Sequence, residues 1–272
     1  MQPLLEVKNL SVQYKGAAAT RPALNGISFS LEPGATLGVV GESGAGKSTL
    51  ALALAGLLDA SQARVSGEVN FNGINLLALE EEELCRLRGS GVSMIFQDAA
   101  GSLNPSIPII RQVAEAILLN SQEAMDKGEA LAAARQLLAE TGLSEELLSS
   151  APYAHQLSGG LCQRAMITAA LAAGPRLLVA DEPTSALDTT IQLQIVELLK
   201  ERQQSAGLAL IFISHDLALV STMADRILVM RDGCAVDQGD LSAILESPEH
   251  AYTAQLIDTW KAAGEGSIFA PS

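Results

Sequence analysis

One segment constrains this chain more than any other. Gly41-Glu42-Ser43-Gly44-Ala45-Gly46-Lys47-Ser48 reads G-x-x-x-x-G-K-S, directly after the apolar run Thr36-Leu-Gly-Val-Val and before a helical stretch. Strand, glycine-rich loop and helix in that order are the context in which this motif holds phosphate. The glycines let successive backbone N–H groups turn inward as an anion cradle, the helix start adds partial positive charge, and Lys47 reaches the outer phosphates. Ser48 stands where a hydroxyl can ligate Mg2+. The unbroken apolar run before the loop predicts a strand covered on both faces.

Composition decides how widely phosphate can be gripped. The 272 residues are 48% hydrophobic and 18% charged, enough apolar material for a full core. Seventeen Lys and Arg face 31 Asp and Glu, a net charge of −14. That balance disfavours a broad sequence-independent hold on nucleic acid, so any phosphate is held locally. Cys85, Cys162 and Cys234 share no short metal-ligand spacing and suggest a reduced compartment. The first residues lack a basic start followed by an apolar stretch, as a secretion signal would have. The longest apolar runs, such as Leu50 to Leu58, reach about half of the ~18 residues a spanning helix needs. The chain reads as soluble or peripheral.

No Ser/Gly-rich linker, Pro-rich hinge or repeat divides the sequence, which predicts one compact unit with sub-regions. Strand-like runs occupy the first 40 residues: Leu5-Glu-Val-Lys, Gly26-Ile-Ser-Phe-Ser-Leu and Thr36-Leu-Gly-Val-Val. From about residue 106 to 150 the pattern becomes helical, with Val113, Ile117, Leu131 and Leu138 at helical spacing. Strand character returns at Leu177-Leu-Val-Ala and Ala209-Leu-Ile-Phe-Ile, with a helical stretch from Thr190 to Gln204 between them. That βαβ rhythm makes the fold class α/β.

Two further motifs carry chemistry. Leu177-Leu-Val-Ala-Asp181-Glu182 is an apolar strand ending in two carboxylates, which suits one acid to a metal's shell and one to an attacking water. Asp181 is the metal-side acid and Glu182 the polarising or general-base acid. Leu157-Ser158-Gly159-Gly160-Leu161-Cys162-Gln163-Arg164 opens a helical run, Ala165 to Ala173. Taken alone it is either a second anion site at a helix start or a plain N-cap with two flexible glycines.

Tyr14, the phosphate loop, Met94-Ile-Phe-Gln97, Leu157-Ser-Gly-Gly, Asp181-Glu182, Ser185-Ala-Leu-Asp188 and Ser214-His215-Asp216 follow one another as in the nucleotide-binding domains of ABC transporters, which the chain resembles over nearly its whole length. Within that superfamily it is most similar to the ATPase subunits of dipeptide, oligopeptide and nickel importers. The residues carrying that likeness are Gly41-Glu-Ser-Gly, Phe96-Gln-Asp with Ser102-Leu-Asn-Pro105, Ala180-Asp-Glu-Pro-Thr-Ser-Ala-Leu-Asp, Ile191-Gln, and Ser247-Pro-Glu-His-Ala-Tyr252-Thr.

The resemblance implies a single ABC ATPase domain over 1–272. Its P-loop NTPase (RecA-like) core carries an N-terminal antiparallel β subdomain, a helical subdomain at about 98–158 and a C-terminal extension at about 240–272. It implies ATP and Mg2+ as ligands. Nucleotide contacts would come from Tyr14, stacked on adenine, from Gly41, Glu42, Ser43, Gly44, Ala45, Gly46, Lys47, Ser48 and Thr49, and from Ser158, Gly159, Gly160 and Asp188. Metal contacts would come from Ser48, Gln97 and Asp181; Lys47, Gln97, Glu182 and His215 would carry catalysis, His215 at the γ-phosphate. Ser158-Gly159-Gly160 would face the γ-phosphate of an opposite subunit, with Asp188 at the contact, so that ATP joins a head-to-tail dimer and hydrolysis opens it.

The partners so implied are a second ATPase subunit, identical or sister, two membrane permease subunits docked near Gln97, and, indirectly, an extracytoplasmic solute-binding protein, with no nucleic acid. The place is the cytoplasmic face of the inner or plasma membrane, held peripherally, and the cargo peptides or a nickel or metal chelate. A soluble ABC-type ATPase acting on nucleic acid or ribosomes is the alternative, which a coiled-coil insertion, fused halves or a more basic surface would favour.

Asp98-Ala99 stands where these importers commonly have Asp-Pro, and Ala251 where they commonly have Pro. Leu161-Cys162 replaces the usual Met and a basic or polar residue, which makes Cys162 a small apolar substitute. No cysteine follows Cys234, so no iron–sulfur tail is expected. Glu80 to Glu83 reads as a solvated helix start, His155 and His250 as structural, and Trp260 with the tail beyond it as an extension of modest order.

Overall fold

The computed structural model describes residues 2–16, 21–120, 125–185 and 187–263. Residues 121–124 of the helical insert, Ala186 of the Ser185–Asp188 segment and the tail from 264 onward lie outside the described residues.

The N-terminal part runs β1 (Leu5–Tyr14), β2 (Leu24–Leu31), β3 (Thr36–Val40), α1 (Lys47–Leu54), β4 (Ala63–Phe71), β5 (Ile74–Asn75) and α2 (Glu81–Leu87). Next come β6 (Val92–Ile95), α3 (Ala99–Ser102), α4 (Ile109–Asn120), α5 (Lys127–Glu140), α6 (Glu145–Ser149) and α7 (Gly159–Ala172). The remainder is β7 (Leu177–Asp181), α8 (Thr189–Ala206), β8 (Ala209–Ile213), α9 (Leu217–Ser221), β9 (Arg226–Arg231), β10 (Cys234–Asp240), α10 (Leu241–Glu246) and α11 (Ala251–Ala263). Two compact units result. One is Met1–Leu84, Val179–Asp181 and Ala209–Ser272; the other is Cys85–Leu178 and Glu182–Leu208.

The first unit holds an antiparallel sheet in the order β2-β1-β4-β5. On β1 the buried residues are Leu5, Val7, Leu10 and Val12, opposite Leu31, Phe29, Ile27 and Leu24. Alternation alone would turn Leu10 outward. A register shift between Val7 and Leu10, with Asn9 at φ 48°, adds the residue that returns the strand's second half to the core. The same unit holds strands in the order β10-β9-β3-β8-β7. β3 lies parallel to β8 and β9, and every residue of β3 and β8 is buried, as the apolar runs predict. β10 returns antiparallel through Asp232-Gly233, both at positive φ, the backbone a two-residue hairpin requires.

The second unit is mainly helical. Among the described residues its insert carries α4 to α6, and α5 buries Ala130, Ala134 and Leu138. Leu131, one of the apolar residues at helical spacing, is half-buried; alanines at i and i+4 set the inward face and allow close approach. A hydrogen bond of 2.7 Å between the hydroxyls of Thr141 and Thr168, and donation from Arg164 to the carbonyls of Thr141 and Gly142 at 3.2 Å each, join the end of α5 to α7. α7 begins at Gly159 with Ser158 as its cap, as the N-cap reading of that motif expects, so both glycines lie inside the helix. The modest order expected around Trp260 is also corrected: Trp260 lies within α11. Glu81 to Glu83 open α2, which has no buried residue.

Candidate functional site

In the first unit the loop 41–46 leaves the carboxyl end of β3. Val39 pairs with Ile213 of β8, and the Ser214 N–H donates to the Val39 carbonyl at 3.1 Å. The loop and Ser214-His215 therefore leave the sheet side by side, at the end of parallel strands where ligands bind. Two glycines are required by space. A Cβ at Gly41 would run into the Met230 carbonyl; one at Gly46, at φ 98°, would meet the Ala23 carbonyl. Gly46 begins α1, and no side chain caps that end, which leaves the first-turn N–H groups directed at the loop's interior.

Lys47 is buried, and its ammonium donates to the carbonyls of Gly41 at 2.7 Å and Glu42 at 2.9 Å. Ser43, Gly44 and Ser48 are exposed, while Ala45 is buried. The Tyr14 and Thr49 hydroxyls lie 3.3 Å apart, placing the expected adenine-stacking ring beside the start of α1. Tyr14 is 38% exposed. Asp181 ends β7 and is buried; His215 is exposed and precedes Asp216, the cap of α9. A hydroxyl, Ser48, and a carboxylate, Asp181, are hard oxygen donors, and the donor set fits Mg2+, which completes its shell with phosphate oxygens and water.

In the second unit, Gln97 is exposed two residues after β6, ahead of Asp98, which caps the short α3. Ser158 caps α7, its hydroxyl accepting from the Leu161 N–H at 3.4 Å, while Gly159 is exposed and Gly160 half-buried. Asp188 is exposed and caps α8, accepting from the Ile191 N–H at 3.1 Å. Glu182 holds φ at 49°. Three donors converge on its carbonyl: Gln163 Nε2 at 3.4 Å, Ser185 N–H at 3.3 Å and Ser185 Oγ at 3.2 Å.

The predicted residues thus fall into two groups. Tyr14, residues 41–49, Asp181 and His215 belong to the first unit; Gln97, Ser158 to Gly160, Glu182 and Asp188 belong to the second. Two residues the motifs did not single out touch site backbone: Gln163, through Glu182, and Tyr252, whose hydroxyl accepts from the Glu42 N–H at 3.0 Å. Tyr252 lies inside a segment quoted for the family resemblance, and Gln163 inside the Leu157–Arg164 motif. Neither has a type or spacing that announces its contact.

The second unit also carries an open groove of about 350 Å³, lined by Met94, Phe96, Leu103, Ile107, Leu119 and Met166 among others. Leu119 is 77% exposed. Cys162 is buried and donates its thiol to the Ala154 carbonyl at 3.3 Å, and burial pushes the thiol above its ordinary 9.0. It packs as a small apolar side chain with one weak donor. Burial likewise raises the Tyr252 phenol, while the Glu42 amide opposes the shift.

The sequence matches the family described as ABC transporter over residues 24–185. It is 44% identical over 254 residues to the dipeptide transport ATP-binding protein DppD of Escherichia coli (strain K12), covering 93% of this chain and 77% of that one. Identity to DppD of Lactococcus lactis subsp. cremoris (strain MG1363) is 44% over 259 residues, 95% of this chain and 74% of that one. Among solved structures, the dimeric, post-hydrolysis ATP-binding cassette MJ0796 bound to ADP and Pi superposes with a TM-score of 0.79 at 27% identity, covering 87% of this chain and 98% of that chain.

Proposed function

The chain belongs to the ABC transporter family of ATP-binding proteins, and on that premise we propose that it is the ATP-hydrolysing subunit of an importer that carries peptides through a separate permease. Of the cargoes the resemblance left open, peptides are the ones that the relatives' names support. The observation that carries the reading is the phosphate loop itself. It leaves β3 beside Ser214-His215, with Lys47 resting on two of the loop's own carbonyls and Asp181 closing β7 of the same unit.

In this reading Lys47 exchanges neutral carbonyl acceptors for phosphate oxygens, a charge-assisted and stronger bond. Tyr14 stacks on adenine. Ser48, Asp181 and Gln97 would hold Mg2+, which would supply positive charge to offset that of the phosphates. Glu182, next in the chain after Asp181, accepts a proton from the water whose oxygen attacks the γ-phosphorus, and the bond to ADP breaks. His215 donates to the γ-phosphate. The start of α7, Ser158-Gly159-Gly160, engages the triphosphate held by a second copy or sister chain, with Asp188 at that contact, so cleavage releases what both subunits share.

No helix among the described residues is long and apolar enough to cross a membrane. Coupling therefore runs through docking. The groove by Met94, Phe96 and Leu119 suits an apolar helix face from the permease, and it follows Gln97 closely in the chain. Such docking holds the subunit at the cytoplasmic face. The test is Glu182→Gln, which binds ATP, turns over at least about a hundredfold more slowly and becomes dimeric with ATP by light scattering. Undiminished turnover, or a monomer under saturating ATP, rejects the reading.

A further inference from the structure

The Tyr252 hydroxyl meets the phosphate loop from the C-terminal side of the chain. Tyr252 is the second residue of α11, is 5% exposed, and accepts the Glu42 N–H at 3.0 Å. That N–H belongs to the same peptide group as the Gly41 carbonyl, which accepts from Lys47 at 2.7 Å. One peptide plane is thus gripped at both ends. Rotating it would break the Tyr252 bond and move the carbonyl on which Lys47 rests. The neighbouring Glu42 carbonyl, the second acceptor for Lys47 at 2.9 Å, would move with it.

Tyr252 is itself held in place by three elements. The Arg231 guanidinium, at the end of β9, lies 5.0 Å from the centre of its ring. The Tyr252 N–H donates to His250 Nδ1 at 3.1 Å, and the His250 N–H donates to the buried Asp237 carboxylate of β10 at 3.0 Å. All of these residues belong to the first unit. The phenol is therefore a fixed acceptor, built by the strands beyond β3 and the first turn of α11, aimed at the entry of the loop.

We propose that Tyr252 is a positioning residue of the phosphate loop, through which α11 sets the chain's affinity for nucleotide. The proposal rests on the loop being the nucleotide site. Tyr252 touches no phosphate; it fixes the peptide whose carbonyl orients Lys47.

The test measures binding of ADP and of a non-hydrolysable ATP analogue, with Mg2+, to the full chain by titration calorimetry, together with kcat and KM for ATP. Tyr252→Phe keeps the ring under Arg231 and deletes the hydroxyl, which accepts the Glu42 N–H and also bonds the Glu42 side chain. The expected result is a five- to tenfold rise in Kd and KM, about the effect of one hydrogen bond, with kcat within twofold of the parent. A merely structural role would lower Tm and leave Kd within twofold, and that result overturns the proposal. Should Tyr252→Phe not fold, His250→Ala keeps the phenol but removes the acceptor of the Tyr252 N–H. A Kd raised at least twofold supports the proposal, and an unchanged one overturns it. If the parent chain binds neither nucleotide, the nucleotide-site reading falls as well; if the parent binds and the variants match it, only the role of Tyr252 falls.

Discussion

Gln163 donates its side-chain amide to the main-chain carbonyl of Glu182 at 3.4 Å, across nineteen residues of sequence, while Glu182 holds a left-handed φ of 49°. That conformation is uncommon outside glycine and costs on the order of 1–2 kcal/mol. It persists here because Ser185 also binds the same carbonyl through both its N–H and its hydroxyl. Gln163 is 1% exposed and sits in the second turn of α7, the helix that Ser158 caps. That hydrogen bond ties α7 to the backbone of Glu182, the residue that follows β7.

Replacing Gln163 by Leu keeps much of the volume and deletes the amide. The expected result is a fall in kcat of about tenfold with KM for ATP within twofold, since a small misplacement of the proposed general base is expensive in rate. Stability should change by less than about 1 kcal/mol, because Ser185 still satisfies the Glu182 carbonyl and the buried Gln163 Oε1, which has no hydrogen-bond partner, is removed as well. Steady-state ATPase rates and thermal melts check both numbers. Equal losses in kcat and in nucleotide affinity would refute a role confined to Glu182.

Lys47→Ala removes the cation that bridges the Gly41 and Glu42 carbonyls and that is to reach the phosphates. Charge-assisted bonds contribute about 1.5–3 kcal/mol each, so ATP affinity should fall by roughly 10- to 100-fold. Calorimetry with a non-hydrolysable analogue measures this directly. Affinity unchanged in that variant would remove the loop from the binding site.

How much of this was legible beforehand follows from which contacts are local. The phosphate loop and the βαβ rhythm rest on residues adjacent in sequence, and the apolar runs at 36–40, 177–180 and 209–213 are strands. The inward face of α5 is not legible from its leucines, because alanine carries little hydrophobic signal although Ala130 and Ala134 do the packing. The start of α7 is legible in Ser158 itself, a good cap that outweighs the two glycines following it inside the helix. Gln163 and Tyr252 were out of reach for another reason. Each acts through a single hydrogen bond to backbone, and such a bond leaves no pattern in the residues around it.

Cys162 supplies a prediction in pH. Its folded thiol is raised above 9.0, so the fold favours the protonated form. The stabilisation from a neutral buried thiol is intact below about pH 9 and is lost as pH climbs through the higher folded value. Thermal melts between pH 8 and 11 should show the parent losing more stability at the alkaline end than Cys162→Ala. Under native conditions Cys162 should resist alkylation while the exposed Cys85 reacts, and unfolding should make the two equal. Rapid native modification of Cys162 would contradict the burial on which this rests.

The groove of the second unit gives a prediction that separates docking from catalysis. Leu119, 77% exposed, lies on its rim, and neither the phosphate loop nor Glu182 is bonded to it through any described contact. An exposed surface substitution away from caps and buried networks changes stability by about 0.5 kcal/mol or less, so Leu119→Glu should fold normally and bind ATP as the parent does. An apolar anchor in a helix-receiving groove is another matter. Burying a carboxylate against an apolar helix face costs more than the truncation of a contact residue, which alone commonly exceeds about 1 kcal/mol. Recovery of the permease with tagged Leu119→Glu from native membranes should therefore fall by about tenfold or more, with ATP affinity within twofold. Full recovery of the permease with this variant would place the docking surface elsewhere on the chain.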